Sequence, residues 1–146
     1  MSGIKNLIKF FYNIIHDQIL HKFIIVGFSA ALVLLLFTEI FTSLMEIPVQ
    51  ISVLISWEFA LLWAFFLLEK WTFSKLKKKN SKLGRLVRFH LITGISLVIN
   101  EVVLTVLLTQ TNFHYLVAEG FGILCGFLFN YPMNRRFSWG LKSVYD

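Results

Sequence analysis

The sequence predicts an all-α membrane protein: four transmembrane helices built as two parallel-repeat hairpins, preceded by an N-terminal amphipathic interfacial helix. Three observations predict it. First, the 146 residues are 57% hydrophobic and only 15% charged, with a mean hydropathy of +0.73. Soluble domains are about half apolar and about a quarter charged. Second, all 14 Lys and Arg fall outside four long apolar runs and on one side of them. Third, the chain repeats itself at an offset of 66 residues. Residues 1–146 therefore read as one transmembrane domain.

Residues 3–21 read as the interfacial helix. Ile4, Leu7, Ile8, Phe11, Ile14 and Ile15 recur at three- and four-residue spacing, with Lys5, Lys9, Asn13 and Asp17 opposite. Such a stripe lies in the interface plane of a bilayer or docks on a partner protein. The run lacks a clean apolar core and a small-residue cleavage site, so no cleavable leader is expected.

Four spans follow, at approximately 23–44, 49–68, 89–108 and 115–133. A bilayer core needs ~20 apolar helical residues, and each run supplies them. Met45-Glu46-Ile47-Pro48 is a short turn, and Pro48 suits a helix start. Thr109 to His114 is the second turn and carries no Lys or Arg. The basic residues lie in the N-terminal segment, the middle loop and the C-terminal tail, so the positive-inside rule places these in the cytoplasm. Trp71, Trp139, Tyr115 and Tyr131 are expected at the interfaces, as aromatic belts are.

The repeat maps Lys22-Phe23 onto Arg88-Phe89 and residues 68–73 onto 134–139. Each half is a basic-Phe lead-in, two spans and a basic-aromatic exit. Two spans per half give both halves the same orientation, as in parallel-repeat transporters. Small residues recur four apart at Gly27 and Ala31, at Ala60 and Ala64, and at Ala118, Gly122 and Gly126. In lipid such ridges let helices approach closely. Four helices bury little surface, which predicts a homo-oligomer.

Two constellations can carry chemistry. One is the basic-aromatic cluster Lys22, Lys70, Trp71, Arg88, Asn130, Asn134, Arg135 and Arg136. Arginine grips phosphate bidentately and lysine adds a point charge, so the cluster suits a lipid-linked phosphate. It equally fits ordinary positive-inside flanking with aromatic anchors. The other is a set of intramembrane polar residues, chiefly Glu58, Asn100 and Glu101. Glu58 and Glu101 each lie thirteen residues from Trp71 or Arg88, so roughly 20 Å deep. Acidic groups at that depth line a polar or proton path, or are protonated and hydrogen-bonded between helices. Glu39 and Glu119 lie roughly 25 Å in on the same count.

Several classes are excluded. The net charge of +6 does not imply nucleic acid, because the basic residues flank apolar runs and lipid headgroups are nearer. Cys125 is alone and reads as a small hydrophobe. No nucleophile–base pair, phosphate-binding glycine loop or metal-ligand spacing is present. Neither an enzyme nor a cofactor is expected.

The exits read AFFLLEKWTF over 64–73 and NYPMNRRFSW over 130–139; the lead-ins read KFIIVG over 22–27 and RFHLITG over 88–94. Their order and spacing resemble the GtrA-like family. The resemblance implies a small multi-pass protein of the cytoplasmic membrane that assists glycosylation of cell-surface polysaccharide, lipopolysaccharide or teichoic acid. It further implies binding and flipping of a polyprenyl-phosphate-linked sugar (undecaprenyl phosphate being one such carrier), in concert with a membrane glycosyltransferase. On this likeness Asn130, Asn134, Arg135 and Arg136 map onto the second motif, and Lys70 and Trp71 onto the first. Ala64, Leu68 and Glu69 depart from it, which weakens the first exit as a phosphate site. Two alternatives stand beside flipping: a non-transporting anchor for a glycosyltransferase, and a small proton-coupled exporter.

Overall fold

The computed structural model describes residues 17–75 and 81–140, and every regular element among them is helical. α1 covers Gln18–Glu39, α2 Val49–Leu67, α3 Lys82–Gln110 and α4 Tyr115–Met133. α1, α2 and α4 each continue into a five-residue π-helical turn, at Ile40–Leu44, Leu68–Thr72 and Asn134–Ser138. Their hydrogen bonds reach five residues back: Met45 N to Ile40 O at 3.2 Å, Phe73 N to Leu68 O at 2.8 Å, and Trp139 N to Asn134 O at 3.1 Å.

Three helical stretches are long and apolar enough to cross a membrane: Gln18–Leu44, Val49–Thr72 and Lys82–Gln110. The shortest of these has 24 residues, about 36 Å against a hydrocarbon core of ~30 Å. The fourth helix, α4, packs along α3 and carries Glu119 and Pro132.

The chain divides into two compact units, residues 1–75 and 76–146. Each unit holds one antiparallel helical hairpin. In the first, Phe37 stacks on Phe59 with ring centroids 4.7 Å apart. Trp63 Nε1 donates to Ser29 Oγ at 3.2 Å, and Lys22 lies over Trp71. In the second, Asn100 reaches Glu119 and Arg88 reaches Phe137. Each hairpin thus has a turn end, at 45–48 or 111–114, and an open end where lead-in and exit meet.

The 66-residue repeat is structural as well as sequential. α2 and α4 start and stop 66 residues apart, and so do their π turns. Phe23 and Phe89 are both buried, as are Phe73 and Trp139. The first exit makes its π turn with Phe66 in the place of Pro132, so proline is not what widens the helix.

Helix starts lie further out than the apolar runs suggest, because capping residues set them. Asp17 Oδ1 accepts from Ile19 N at 2.9 Å and starts α1. Ser81 Oγ accepts from Gly84 N at 3.1 Å and starts α3. Such caps satisfy backbone donors that a helix start leaves open. Residues 18–21, read as the end of the interfacial helix, form the first turn of α1; residues 1–16 lie outside the described residues. So do Lys77, Lys78 and Lys79 of the middle loop. The second exit ends on Gly140, whose φ of 70° is the left-handed conformation glycine adopts cheaply after a helix.

Candidate functional site

The stripe of small residues extends further than its sequence signal. On α2 and its π turn the buried positions run every four residues: Ser52, Ser56, Ala60, Ala64, Leu68 and Thr72. On α4 and its π turn, Ala118, Gly122, Gly126, Asn134 and Ser138 repeat that course 66 residues later. A Cβ on Gly122 would collide with the Asn100 amide and lie 2.9 Å from the Asn100 carbonyl. One on Gly126 would lie 2.9 Å from the Ser96 carbonyl. These two glycines therefore set how closely α4 approaches α3.

At the open end of the second hairpin the stripe turns polar. Asn134 is fully buried. Its Nδ2 donates to Asn130 Oδ1 at 2.6 Å, and its Oδ1 accepts from Ser138 Oγ at 2.8 Å. The three residues form a ladder on one face of the widening helix. The first hairpin carries Ala64, Leu68 and Thr72 at these positions. There Thr72 Oγ1 is buried with no hydrogen-bond partner among the described residues, and Leu68 has no side-chain acceptor to offer it. The departure read from the sequence thus has a physical consequence: the first exit keeps the hydroxyl and lacks the amide that receives it.

The arginines beside the ladder differ. Arg135 is half-buried, and its NH1 donates to the Tyr131 hydroxyl at 2.7 Å. Its guanidinium lies 5.8 Å from the Tyr131 ring. Arg136 is exposed, 5.7 Å from the Phe137 ring. Arg88 is exposed and donates through NH1 to the Phe137 carbonyl at 3.2 Å. A guanidinium has five N–H donors, so this one bond ties Arg88 to the π turn and leaves donors for an anion. The structure therefore brings Arg88, Asn130, Asn134, Arg135 and Arg136 to one open end.

Lys22, Lys70 and Trp71 gather at the open end of the first hairpin. Lys22 Nζ lies 5.3 Å from the Trp71 ring, and Lys70 Nζ lies 5.6 Å from Phe66. Trp71 stands at the position equivalent to Phe137, as Lys22 does to Arg88. In both hairpins the basic lead-in residue thus clamps the same position of the exit turn. The first clamp is a cation–π contact, and the second is a hydrogen bond.

Among the intramembrane residues, Glu58 and Glu101 are exposed. Asn100 turns into the α3–α4 seam and its Nδ2 donates to Glu119 Oε1 at 3.4 Å. Its partner is Glu119, not the adjacent Glu101. Glu39 accepts from Ser43 Oγ at 2.7 Å. Among the described residues no group of three His, Cys, Asp or Glu could hold a metal.

Two residues depart from the sequence reading. Trp139, expected as an interfacial anchor, is 1% exposed and meets Phe89 edge-on at 6.0 Å. The ring closes the hairpin core instead of resting among headgroups, whereas Trp71 and Tyr115 are exposed. Arg85, counted with the loop lysines, is 6% exposed. Positions 85, 89, 92 and 96 share one face of α3, and all four are buried. That three- and four-residue spacing was the available signal, and it passes over Arg88.

The chain matches the family described as GtrA/DPMS, transmembrane domain, over residues 22–139. It is also 36% identical over 118 residues to a dolichol-phosphate mannosyltransferase of Pyrococcus furiosus. That match covers 81% of this chain and 33% of the relative, so the chain spans about a third of that protein's length. From its lead-in at Lys22 to the buried Trp139, the chain belongs to the family of GtrA/DPMS transmembrane domains.

Proposed function

We propose that the protein flips a polyprenyl-phosphate-linked monosaccharide across the cytoplasmic membrane for glycosylation of a cell-surface polymer. One arrangement carries this reading: Arg135, held half-buried by Tyr131, stands beside the Asn130–Asn134–Ser138 ladder, of which Asn134 and Ser138 are buried. Both open ends face the cytoplasm, where the positive-inside rule puts the 14 Lys and Arg. The phosphate docks on Arg88, Arg135 and Arg136, because guanidinium groups match phosphate oxygens in geometry and charge. The prenyl tail stays in lipid, and the sugar lies against the asparagine amides. Sugar transfer itself belongs to a partner glycosyltransferase, and this chain is non-catalytic. Proton movement at Glu58 or Glu101 is a separable part of the reading. On that part, E58Q or E101Q removes the dependence of transport on a pH gradient.

The test is R135A and R136A in cells whose surface polymer carries the sugar. Glycosylation should be lost with protein level unchanged; full glycosylation in both variants would sink the reading. A second reading has its own support. The chain resembles a third of a longer mannosyltransferase, as a membrane anchor for a glycosyltransferase would. On that reading, purified protein in liposomes moves no lipid-linked sugar.

A further inference from the structure

The two hairpins share one backbone plan and differ in what lines the seam between their helices. In the second, Thr93, Ser96 and Asn100 follow one face of α3, and Glu119, Asn130 and Asn134 follow the facing stripe of α4. From Glu119 to Ser138 is nineteen residues, roughly 28 Å of helix, close to the thickness of a hydrocarbon core. The residues 66 positions earlier are Gly27, Ala30, Leu34, Val53, Ala64 and Leu68. The first hairpin therefore builds the same pair of helices with an apolar residue at each of these six positions, while its own stripe keeps the small hydroxyls of Ser52 and Ser56.

That contrast is an internal control. Polar groups in lipid are costly unless they are partnered, and the first hairpin does without these six. Helix packing alone does not account for them. Some of their atoms are also unspent, as the Thr42 and Thr72 hydroxyls of the first hairpin are, but here one of them is an amide oxygen in mid-seam. Asn100 Oδ1 and Thr93 Oγ1 are buried and have no hydrogen-bond partner among the described residues. Buried polar groups left in this way are uncommon in native structures. Gly122 and Gly126 hold the seam shut against Asn100 and Ser96, so these atoms meet a ligand only when α3 and α4 part.

We propose that the α3–α4 seam lines the path of the sugar headgroup, and that Asn100 with Glu119 forms a hydroxyl-binding subsite towards the turn end. The amide offers a donor and an acceptor, and the carboxyl offers acceptors to vicinal hydroxyls. The subsite is remote from the phosphate-binding open end: Glu119 and Arg135 are sixteen residues apart along α4 and its π turn, about 24 Å. It receives the sugar after the phosphate has been engaged at the other end. This inference rests on the flippase reading above and assigns the second half of the passage to named residues.

The experiment gives the second seam the residues of the first. N100L/E119V is reconstituted in liposomes beside wild type, R135A and L97V, an exposed lipid-facing control. A radiolabelled short-chain polyprenyl-phosphate hexose serves as probe for both equilibrium binding and movement between leaflets. The double variant should bind within about twofold of wild type and flip at least about tenfold more slowly. R135A should lose binding. Should N100L/E119V fail to insert, N100A/E119Q carries the same comparison. A double variant that flips within about twofold of wild type overturns the seam path alone. A wild type that moves no probe overturns both this inference and the flippase reading.

Discussion

Asn134→Leu gives the second exit turn the residue that the first carries at Leu68. Asn134 makes two side-chain hydrogen bonds, to Asn130 at 2.6 Å and from Ser138 at 2.8 Å. Interhelical side-chain bonds measured within membranes average ~0.6 kcal/mol and reach ~1.7 kcal/mol. Taking that scale for the two bonds that Asn134 makes within its own helix gives about 1–3 kcal/mol. A buried amide is costly unless it is partnered and leucine carries no polar group, which offsets part of this. The net change in stability is therefore small, about 1 kcal/mol or less. The fold should survive, because Leu68 occupies the equivalent position at 2% exposure. Function should not survive, because the amide beside Arg135 is gone. The assay pairs thermal unfolding in detergent with glycosylation of the surface polymer in cells. Wild-type glycosylation in N134L would refute the ladder as part of the site. A large loss of stability would refute the equivalence of the two exits.

Other expectations follow from the same geometry. Gly122→Ala and Gly126→Ala place a Cβ against the backbone of α3. Each should cost about 1–3 kcal/mol in detergent unfolding, whereas Gly94→Ala and Gly120→Ala meet nothing within 4 Å and should be neutral or slightly stabilising. Trp71→Ala removes an exposed cation–π contact with Lys22, worth about 0.5–1 kcal/mol, and should shift the melting temperature only slightly. Arg85→Met keeps volume and removes a buried charge; loss of lipid-phosphate binding at an unchanged melting temperature would mark Arg85 as part of the anion site. With Cys125 replaced, a cysteine at Lys75 or Gly140 should react with an impermeant maleimide only from the cytoplasmic face, and one at Asn112 only from outside. The reverse pattern would invert the topology.

The membrane class and the hairpin plan were legible because lipid imposes them on composition. Long apolar runs and one-sided basic residues are consequences of the solvent and need no knowledge of packing. The 66-residue repeat was legible at the basic and aromatic ends, where residue types match, and faint between them. There Ser56 stands for Gly122 and Ser52 for Ala118: chemistry differs while size is kept. Helix starts at residues 18 and 82 were not legible from the apolar runs, because Asp17 and Ser81 act through side-chain bonds that an apolar window averages away. The partner of Asn100 was not legible. Asn100 and Glu101 are adjacent, and which of them enters the seam depends on helix phase.

The duplicated hairpin also sharpens what the basic residues are for. If charge served topology alone, the two open ends would need only equal numbers of lysines and arginines. Instead, Lys22 and Arg88 hold equivalent positions of their exit turns, so each lead-in charge also locks its own hairpin. What distinguishes the second end is what lies beneath the clamp: an amide ladder in place of Ala64 and Leu68, and a guanidinium oriented by Tyr131 in place of Glu69. An acidic residue at that position repels a phosphate, and an oriented arginine attracts one. Two copies of one backbone, with opposite charge at the same step of the turn, are better explained by one ligand site and one supporting copy than by two sites of unequal strength. Charge reversal tests this directly. Glu69→Arg should add little to lipid-phosphate binding while Leu68 remains apolar, and Arg135→Glu should abolish binding even with the ladder intact.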